Sequence, residues 1–301
     1  MDKIEYEVII IGGIYAGLSA AMALGRSLRN VLIIDNDQPC NRQTPHSHNF
    51  LTQDGKTPLE ISNQAKKEIK KYKTINFHKG LAKSGVKTEN GFEIVTERNN
   101  KFTTKKLIFA TGIKDNIPEI KGFSECWGIS IIHCPYCHGY EYRNQKTAII
   151  ANGQRAFHLA SLVNNLSDKV TILTNGKADF SSEQLNKLNK HNIKIIENHI
   201  TEIDQQKGKL KNVIFKEGNK ISLDAAYAAI PFTQHSEIPA SLGCELNEQG
   251  YIKIDTYQKT TIPDIYACGD NSNLMRSVAN AVSSGNIAGA VVNSELTQEQ
   301  F

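Results

Sequence analysis

Apolar residues in this chain gather into short runs that stop at glycine. Val8 to Ile11 are consecutively apolar and end at Gly12-Gly13. A short, β-branched-rich apolar run bounded by turn residues predicts a buried strand. Ala16 to Leu24 carries small residues on one face and predicts a helix, and Val31 to Ile34 is a second apolar run ending at Asp35. Strand, glycine turn, helix, strand and acid is the pattern of a βαβ nucleotide-binding unit. Asn41 to about Gly55 is polar, with Pro and His, and reads as loop, while Leu59 to Tyr72 reads as helix. From Ile75 to Ile108 short strands alternate with turn residues, closing on Leu107-Ile108-Phe109-Ala110-Thr111-Gly112, a buried strand with a small-residue turn.

A second βαβ pattern starts at Thr147. Ala148 to Ala151 predicts the strand, Asn152-Gly153 the turn, Ala156 to Val163 the helix, and Val170 to Leu173 the next strand. Two such units predict an α/β fold with two doubly wound, Rossmann-like domains. Toward the end, Pro263 to Asp270 reads as a strand closing on Gly269-Asp270, followed by a small-residue helix from about Val278 to Val291.

Length agrees, because 301 residues suggest about two domains. The net charge of +4, from 35 basic and 31 acidic residues, gives no reason to expect nucleic acid or an anionic membrane as partner. No segment has the apolar length that spans a bilayer. The opening Met-Asp-Lys-Ile-Glu-Tyr-Glu lacks the basic start and long apolar core of a secretory signal, so the expected location is the cytoplasm. The six cysteines of such a chain are not a disulfide framework. Cys40, Cys126, Cys244 and Cys268 are scattered and read as structural.

Cys134 and Cys137 stand apart. In Cys134-Pro135-Tyr136-Cys137-His138-Gly139-Tyr140-Glu141, two residues separate the thiols, a spacing that suits a redox disulfide at a helix start, where the dipole lowers a thiol pKa. Metal binding needs two more ligands. His133 and His138 are adjacent, but tetrahedral zinc sites draw their second ligand pair from a separate segment, so redox is the preferred reading. His138 titrates near neutrality and could exchange protons with the thiols. His133 and Trp127 read as structural, Tyr136 and Tyr140 as packing residues, and the Lys66–Lys73 run as a solvated helix face. His46 and His48 lie in the polar loop, with solvation the simpler reading for His46.

Gly12-Gly13-Ile14-Tyr15-Ala16-Gly17 is a dinucleotide turn whose middle glycine is replaced by Ile14, and Asp35 stands where a ribose-binding carboxylate belongs. Gly269-Asp270 before a helix could reach a ribitol or ribose hydroxyl, or could be an ordinary turn. The three motifs together form a specific order: N-terminal dinucleotide turn, Cys-x-x-Cys between two βαβ units, C-terminal Gly-Asp.

In this order the chain resembles the low-molecular-weight thioredoxin reductase family over essentially its whole length. The residues that carry the resemblance are Ile10 to Gly13 through Ala20-Ala21, Ala110-Thr111-Gly112, Cys134 to Glu141, and Tyr266 to Asp270, with Arg276 to Gly285 similar to the flavin-facing C-terminal helix. It looks most like the branch that includes the dithiol oxidases closing disulfides in gliotoxin- and holomycin-type metabolites. Leu24-Gly25-Arg26 with Val31 to Asp35, Asn41-Arg42, Ser47-His48, Phe50-Leu51-Thr52 and Asp54-Gly55 mark that branch.

The resemblance implies a discontinuous FAD domain, about 1–116 plus 238–301, a nicotinamide-type domain over 117–237 carrying the cysteines, and a homodimer. It implies an FAD site formed by Gly12, Gly13, Ile14, Tyr15, Ala16, Gly17, Asp35, Asn36, Asn41, Arg42, His48, Ala82, Ala110, Thr111, Gly112, Gly269, Asp270, Val278 and Ala279. It implies Cys137 against the flavin and Cys134 exchanging with a dithiol or disulfide substrate, either a small molecule or a thioredoxin-like protein. The nicotinamide turn departs from the family. Ala151-Asn152-Gly153 stands where a glycine opens the NADPH turn, and Thr174-Asn175-Gly176-Lys177 lacks the arginine cluster for the 2′-phosphate. Lys177 cannot supply a bidentate guanidinium contact, and no acid favours NADH. The expected activity is therefore a dithiol oxidase or an enzyme with a non-nicotinamide donor. The alternatives are an NADPH-dependent thioredoxin-disulfide reductase and, in another class, a non-catalytic redox sensor or zinc-binding module.

Overall fold

The computed structural model describes residues 5–301. They fall into two compact units. The first holds the chain as far as Arg42 with Asn49–Lys114 and Thr233–Phe301; the second holds Gln43–His48 and Asp115–Phe232. In chain order the first unit contributes β1 (Tyr6–Ile11), α1 (Tyr15–Arg26), β2 (Val31–Asp35), α2 (Pro58–Ile69), β3 (Ile75–Lys79), β4 (Ala82–Thr88), β5 (Gly91–Thr96) and β6 (Lys101–Phe109). After β7 (Ile113–Asp115) come α3 (Phe123–Cys126), β8 (Ile131–Ile132), α4 (Pro135–His138), β9 (Thr147–Ile150), α5 (Gly153–Val163), β10 (Val170–Leu173), α6 (Ser182–Lys190) and β11 (Lys194–Ile196). The rest is β12 (Ile200–Gln206), β13 (Lys209–Phe215), β14 (Lys220–Ser222), β15 (Ala225–Ala228), β16 (Phe232–Gln234), α7 (Ile238–Ser241), β17 (Ile265–Ala267) and α8 (Val278–Gln300).

The first unit's sheet runs parallel through β3-β2-β1-β6. The far edge of β6 is divided: its first half pairs antiparallel with β5, and Leu107–Phe109 pair parallel with β17. The parallel strands end level, Ile11 opposite Ile34 and Phe109, and Phe109 opposite Ala267. Both faces of this sheet are buried, which is why its strands are continuously apolar rather than alternating. Val8, Ile10, Ile33 and Ile108 pack with α1 and α8, while Ile9, Ile11, Leu32 and Phe109 pack with β4, β5 and α7. Helices α1 and α8 meet backbone to backbone. A Cβ on Gly285 would stand 2.0 Å from the Ala16 carbonyl oxygen, and one on Gly289 would stand 2.5 Å from that of Ala20.

The second unit has a parallel sheet in the order β11-β10-β9-β15-β8 and a three-stranded antiparallel sheet β12-β13-β14. Ile149, Ile172 and Tyr227 face α5 and α6; Ala148, Leu173 and Ala226 face the small sheet through Ile203, Val213 and Phe215. Trp127 is buried in this second layer and stacks on Phe123. Each unit is thus doubly wound, as the paired βαβ patterns predict.

Several boundaries differ from the sequence reading. Helix α2 starts one residue earlier, at Pro58, because Thr57 and Glu60 form a reciprocal capping box, and it stops at Ile69. The lysine run is therefore only half helical. Lys66 is also ion-paired, its ammonium lying 2.6 Å from Asp37 and 3.8 Å from Asp35. Helix α8 runs to Gln300, well past Val291, because its last turns are tied to the sheet. Lys106, buried on β6, holds Glu299 at 2.6 Å and Glu295 at 3.4 Å, while Arg29 takes Asn293, Thr297 and Gln300. Cys126, Cys244 and Cys268 are buried, but Cys40 is exposed on the loop after β2 and is no core residue.

Candidate active site

The turn after β1 closes tightly. Gly12 has φ +106°, and a Cβ there would stand 2.2 Å from the Ala110 carbonyl oxygen, while one on Gly17 would stand 1.8 Å from that of Gly12. Only glycine meets both demands. Ile14 is the N-cap of α1, and no side chain caps the helix there. Its first amides are therefore open to an anion, as at the phosphate end of a dinucleotide site. Asp35, at the end of β2, accepts from the Gly13 amide, and its Oδ2 is buried with no hydrogen-bond donor. Burial pushes the Asp35 carboxyl up, against the Gly13 amide and the Lys66 ammonium, which pull it down. A buried acceptor beside a glycine turn is what a ribose hydroxyl would satisfy.

The remaining groups gather beyond the level carboxyl ends of β1, β2, β6 and β17, the place where open α/β sheets bind ligands. Ala110 donates to the Ile11 carbonyl, and Gly112 has φ +64°. The Gly269 amide donates to Ser284 Oγ of α8 at 3.0 Å, and Asp270 lies 3.8 Å from Arg276. Tyr15 receives a hydrogen bond from Asn41 at 3.3 Å, and the buried Asn41 Oδ1 has no donor. A flavin nucleotide fits this set. Asp35 and the α1 amides would hold its adenosine and pyrophosphate, and the Gly269-Asp270 turn would supply further polar contacts. Asn271, fully buried, went unread in the sequence. It ties β6 to the Gly-Asp turn through Phe109 O at 2.8 Å and Thr111 Oγ1 at 3.3 Å, with Oδ1 undonated. It adjoins the Gly-Asp motif but has no spacing signal of its own.

Other expected cofactor residues sit less directly. Asn36 accepts from the Gln38 amide, Arg42 is exposed and donates to Pro39 O, and Ala82 is buried at the start of β4. His48 belongs to the second unit, in the segment Gln43–His48. It stands 3.7 Å from Glu141, with its ring centroid 6.1 Å from that of His138.

The cysteine pair is built on a helix start. Cys134 is the N-cap of the one-turn α4, Pro135 is its first residue, and the Cys137 amide donates to Cys134 Sγ at 3.2 Å. The two sulfurs are bonded in a disulfide, with Cα atoms 5.3 Å apart. Both residues are partly exposed. Burial, then the nearby His48, push the His138 imidazole below its ordinary range, while Glu141 pulls it up. Tyr136 and Tyr140 flank the pair but are exposed rather than packed, with Arg143 over the Tyr140 ring at 4.1 Å. Among the described residues no group of three or more His, Cys, Asp or Glu could hold a metal ion.

The second nucleotide turn differs sharply from the first. Asn152 caps α5 with its own side chain, its Oδ1 accepting from the amides of Gly153 at 2.8 Å and Asp179 at 2.9 Å. Its Nδ2 donates to Lys177 O at 2.8 Å. The loop after β10 is thereby laced to the start of α5, and a Cβ on Gly153 would stand 3.6 Å from the Asp179 carboxylate.

One open nucleotide cradle, one self-capped nucleotide turn and a dithiol pair at a helix start define a flavin-dependent thiol–disulfide oxidoreductase. The chain matches the model of the pyridine nucleotide-disulphide oxidoreductase family over residues 6–285, and it belongs to that family. It is similar to the thioredoxin reductase tcpT of Claviceps purpurea, with 30% identity over 96% of this chain and 94% of that one. Among solved structures, TrxB from Bacillus anthracis has a TM-score of 0.93 and 32% identity, covering 98% of this chain and all of that one (100%). An oxidoreductase from Agrobacterium tumefaciens has a TM-score of 0.91 and 35% identity, covering 98% and 99%. The protein is an enzyme of the thioredoxin reductase type. Among the described residues no helix is long and apolar enough to cross a membrane.

Proposed function

We propose that this enzyme is a dithiol oxidase: it closes the disulfide of a dithiol substrate and does not draw its electrons from a nicotinamide. The observation that carries this reading is the laced second turn. Asn152 occupies the α5 amide that a pyrophosphate would take, and the Asp179 carboxylate beside it repels one. Bound FAD supplies a two-electron acceptor that passes those electrons on. The chain's own residues handle thiols and protons. Cys134, facing the Cys137 amide at the helix start, is the sulfur that exchanges with substrate. The family resemblance supports Cys137 as the flavin-side sulfur, and His138 is the proton acceptor for the entering thiol. The family resemblance further supports a homodimer, with a small dithiol or a thioredoxin-like protein as substrate.

The test is an anaerobic mixture of the purified protein with NADPH, NADH or dithiothreitol in turn. The dithiol should bleach the flavin and the nicotinamides should not. Fast bleaching by micromolar NADPH would establish the second reading, an NADPH-dependent disulfide reductase.

A further inference from the structure

The segment Gln43–His48 is short and polar, yet it is held in place within the second unit. Ser47 is buried, and Gln43 and Thr44 lie against Gly128, close enough that a Cβ there would meet them at 3.0–3.2 Å. This seating delivers His48 to the dithiol site. Its Nε2 lies 3.7 Å from Glu141 Oε1, and its ring stands edge-on to His138 at an interplanar angle of 89°. We propose that His48 is a positioning residue of the proton relay: held beside Glu141 with its ring edge-on to His138, it disfavours a proton on His138, so that His138 is neutral when the substrate thiol arrives. The inference rests on the dithiol-oxidase reading and names a residue that acts through His138.

The exchange step uses a neutral His138. The first substrate thiol gives its proton to His138, and its sulfur attacks Cys134. The Cys134–Cys137 bond breaks, and its electron pair leaves on Cys137 as a thiolate. The second substrate thiol then attacks its partner sulfur, and Cys134 departs with that proton. The products are a substrate disulfide, a Cys134 thiol, a Cys137 thiolate and a protonated His138, with every electron and proton placed. A His138 already charged cannot begin this sequence. Among the described residues, burial first, then the neighbouring His48 and Glu141, shift His138. Behind them, His46 lies 6.4 Å from His48, and the hydroxyls of Tyr142 and Tyr227 are pushed up by burial and stay protonated. A positive charge on His48 thus works directly against one on His138.

The experiment compares full-length, FAD-loaded wild type with His48→Gln and His48→Lys. Imidazole titrations are followed by NMR of ¹³C-histidine-labelled protein, the His138 signal being assigned with His138→Gln. The uncharged Gln should raise the His138 midpoint by about 0.5–2 pH units, the range for unit charges ~6 Å apart between aqueous and intermediate permittivity. The permanently charged Lys should leave it at or below the wild-type value. The acid limb of disulfide exchange with dithiothreitol should move with the midpoint in each variant. A loss of packing alone would move both variants the same way, and that result, or no movement in either, overturns the proposal. If wild type never exchanges with dithiothreitol while the imidazoles remain coupled, the dithiol-oxidase reading fails and the coupling stands.

Discussion

His138 concentrates the chemistry at the scale of single residues. Burial and His48 both disfavour its charged form, so its pKa lies below the ordinary histidine value of about 6.5. A base works deprotonated. The rate should therefore rise with pH through a limb below that value, stay level at neutrality, and fall only as acid protonates the ring. His138→Gln should lower dithiol-dependent turnover by roughly 10²-fold and erase the limb. Flavin content should stay unchanged, a combination checked by a pH–rate profile and an absorption spectrum. Asp35 offers the matching test for the cofactor. Asp35→Ala removes a buried acceptor whose Oδ2 lacks a donor, so FAD should bind the apoprotein roughly 10- to 100-fold more weakly, the range for a hydrogen bond to a charged group. Fluorescence titration measures it, and unchanged affinity would remove Asp35 from the site.

Among the elements, α4 and the α1–α8 pair make opposite demands. Helix α4 is a single turn whose purpose is its N-cap, because capping by Cys134 sets that sulfur on the Cys137 amide. Cys134→Ser should leave a Cys137 thiolate and a long-wavelength absorbance band, whereas Cys137→Ser should lack the band and lose electron transfer to FAD. A band in the second variant alone would exchange the two roles. Helices α1 and α8 instead need the absence of side chains. Gly285→Val would drive a branched side chain into the Ala16 backbone. It should destabilise the first unit by about 1–3 kcal/mol, the usual range for overpacking, and lower its urea midpoint.

The molecule as a whole repeats one architecture with two outcomes. Both parallel sheets present a glycine turn and a helix N-terminus at their carboxyl ends. The first turn leaves its amides open, whereas in the second the Gly153 amide is taken by Asn152, whose side chain also ties down the loop after β10. Purified protein should accordingly be yellow, with about one FAD per chain, one open turn serving one cofactor. Opening the second turn with Asn152→Gly and Asp179→Ala should raise the rate of flavin reduction by NADPH. An equally inert double variant would show that the lacing is not what excludes the nicotinamide.

Continuous apolar runs, glycine punctuation and the Cys-Pro-Tyr-Cys spacing determined the two βαβ units, the open turn and the dithiol pair. These are local patterns, written within a few residues of one another, and both sheets form where the runs predict. The β12-β13-β14 sheet, the full reach of α8 and the ion pairing of Lys66 carried no such pattern. The last two depend on partners far along the chain: Arg29 and Lys106 for the last turns of α8, and Asp35 and Asp37 for Lys66. The same holds for the chemistry. Sequence spacing placed His138 beside the thiols, but only the folded chain decided that a six-residue segment between two stretches of the first unit lodges in the second. It thereby carries His48 to within 3.7 Å of Glu141, because side-chain proximity across some ninety positions is set by packing and leaves no trace in local order.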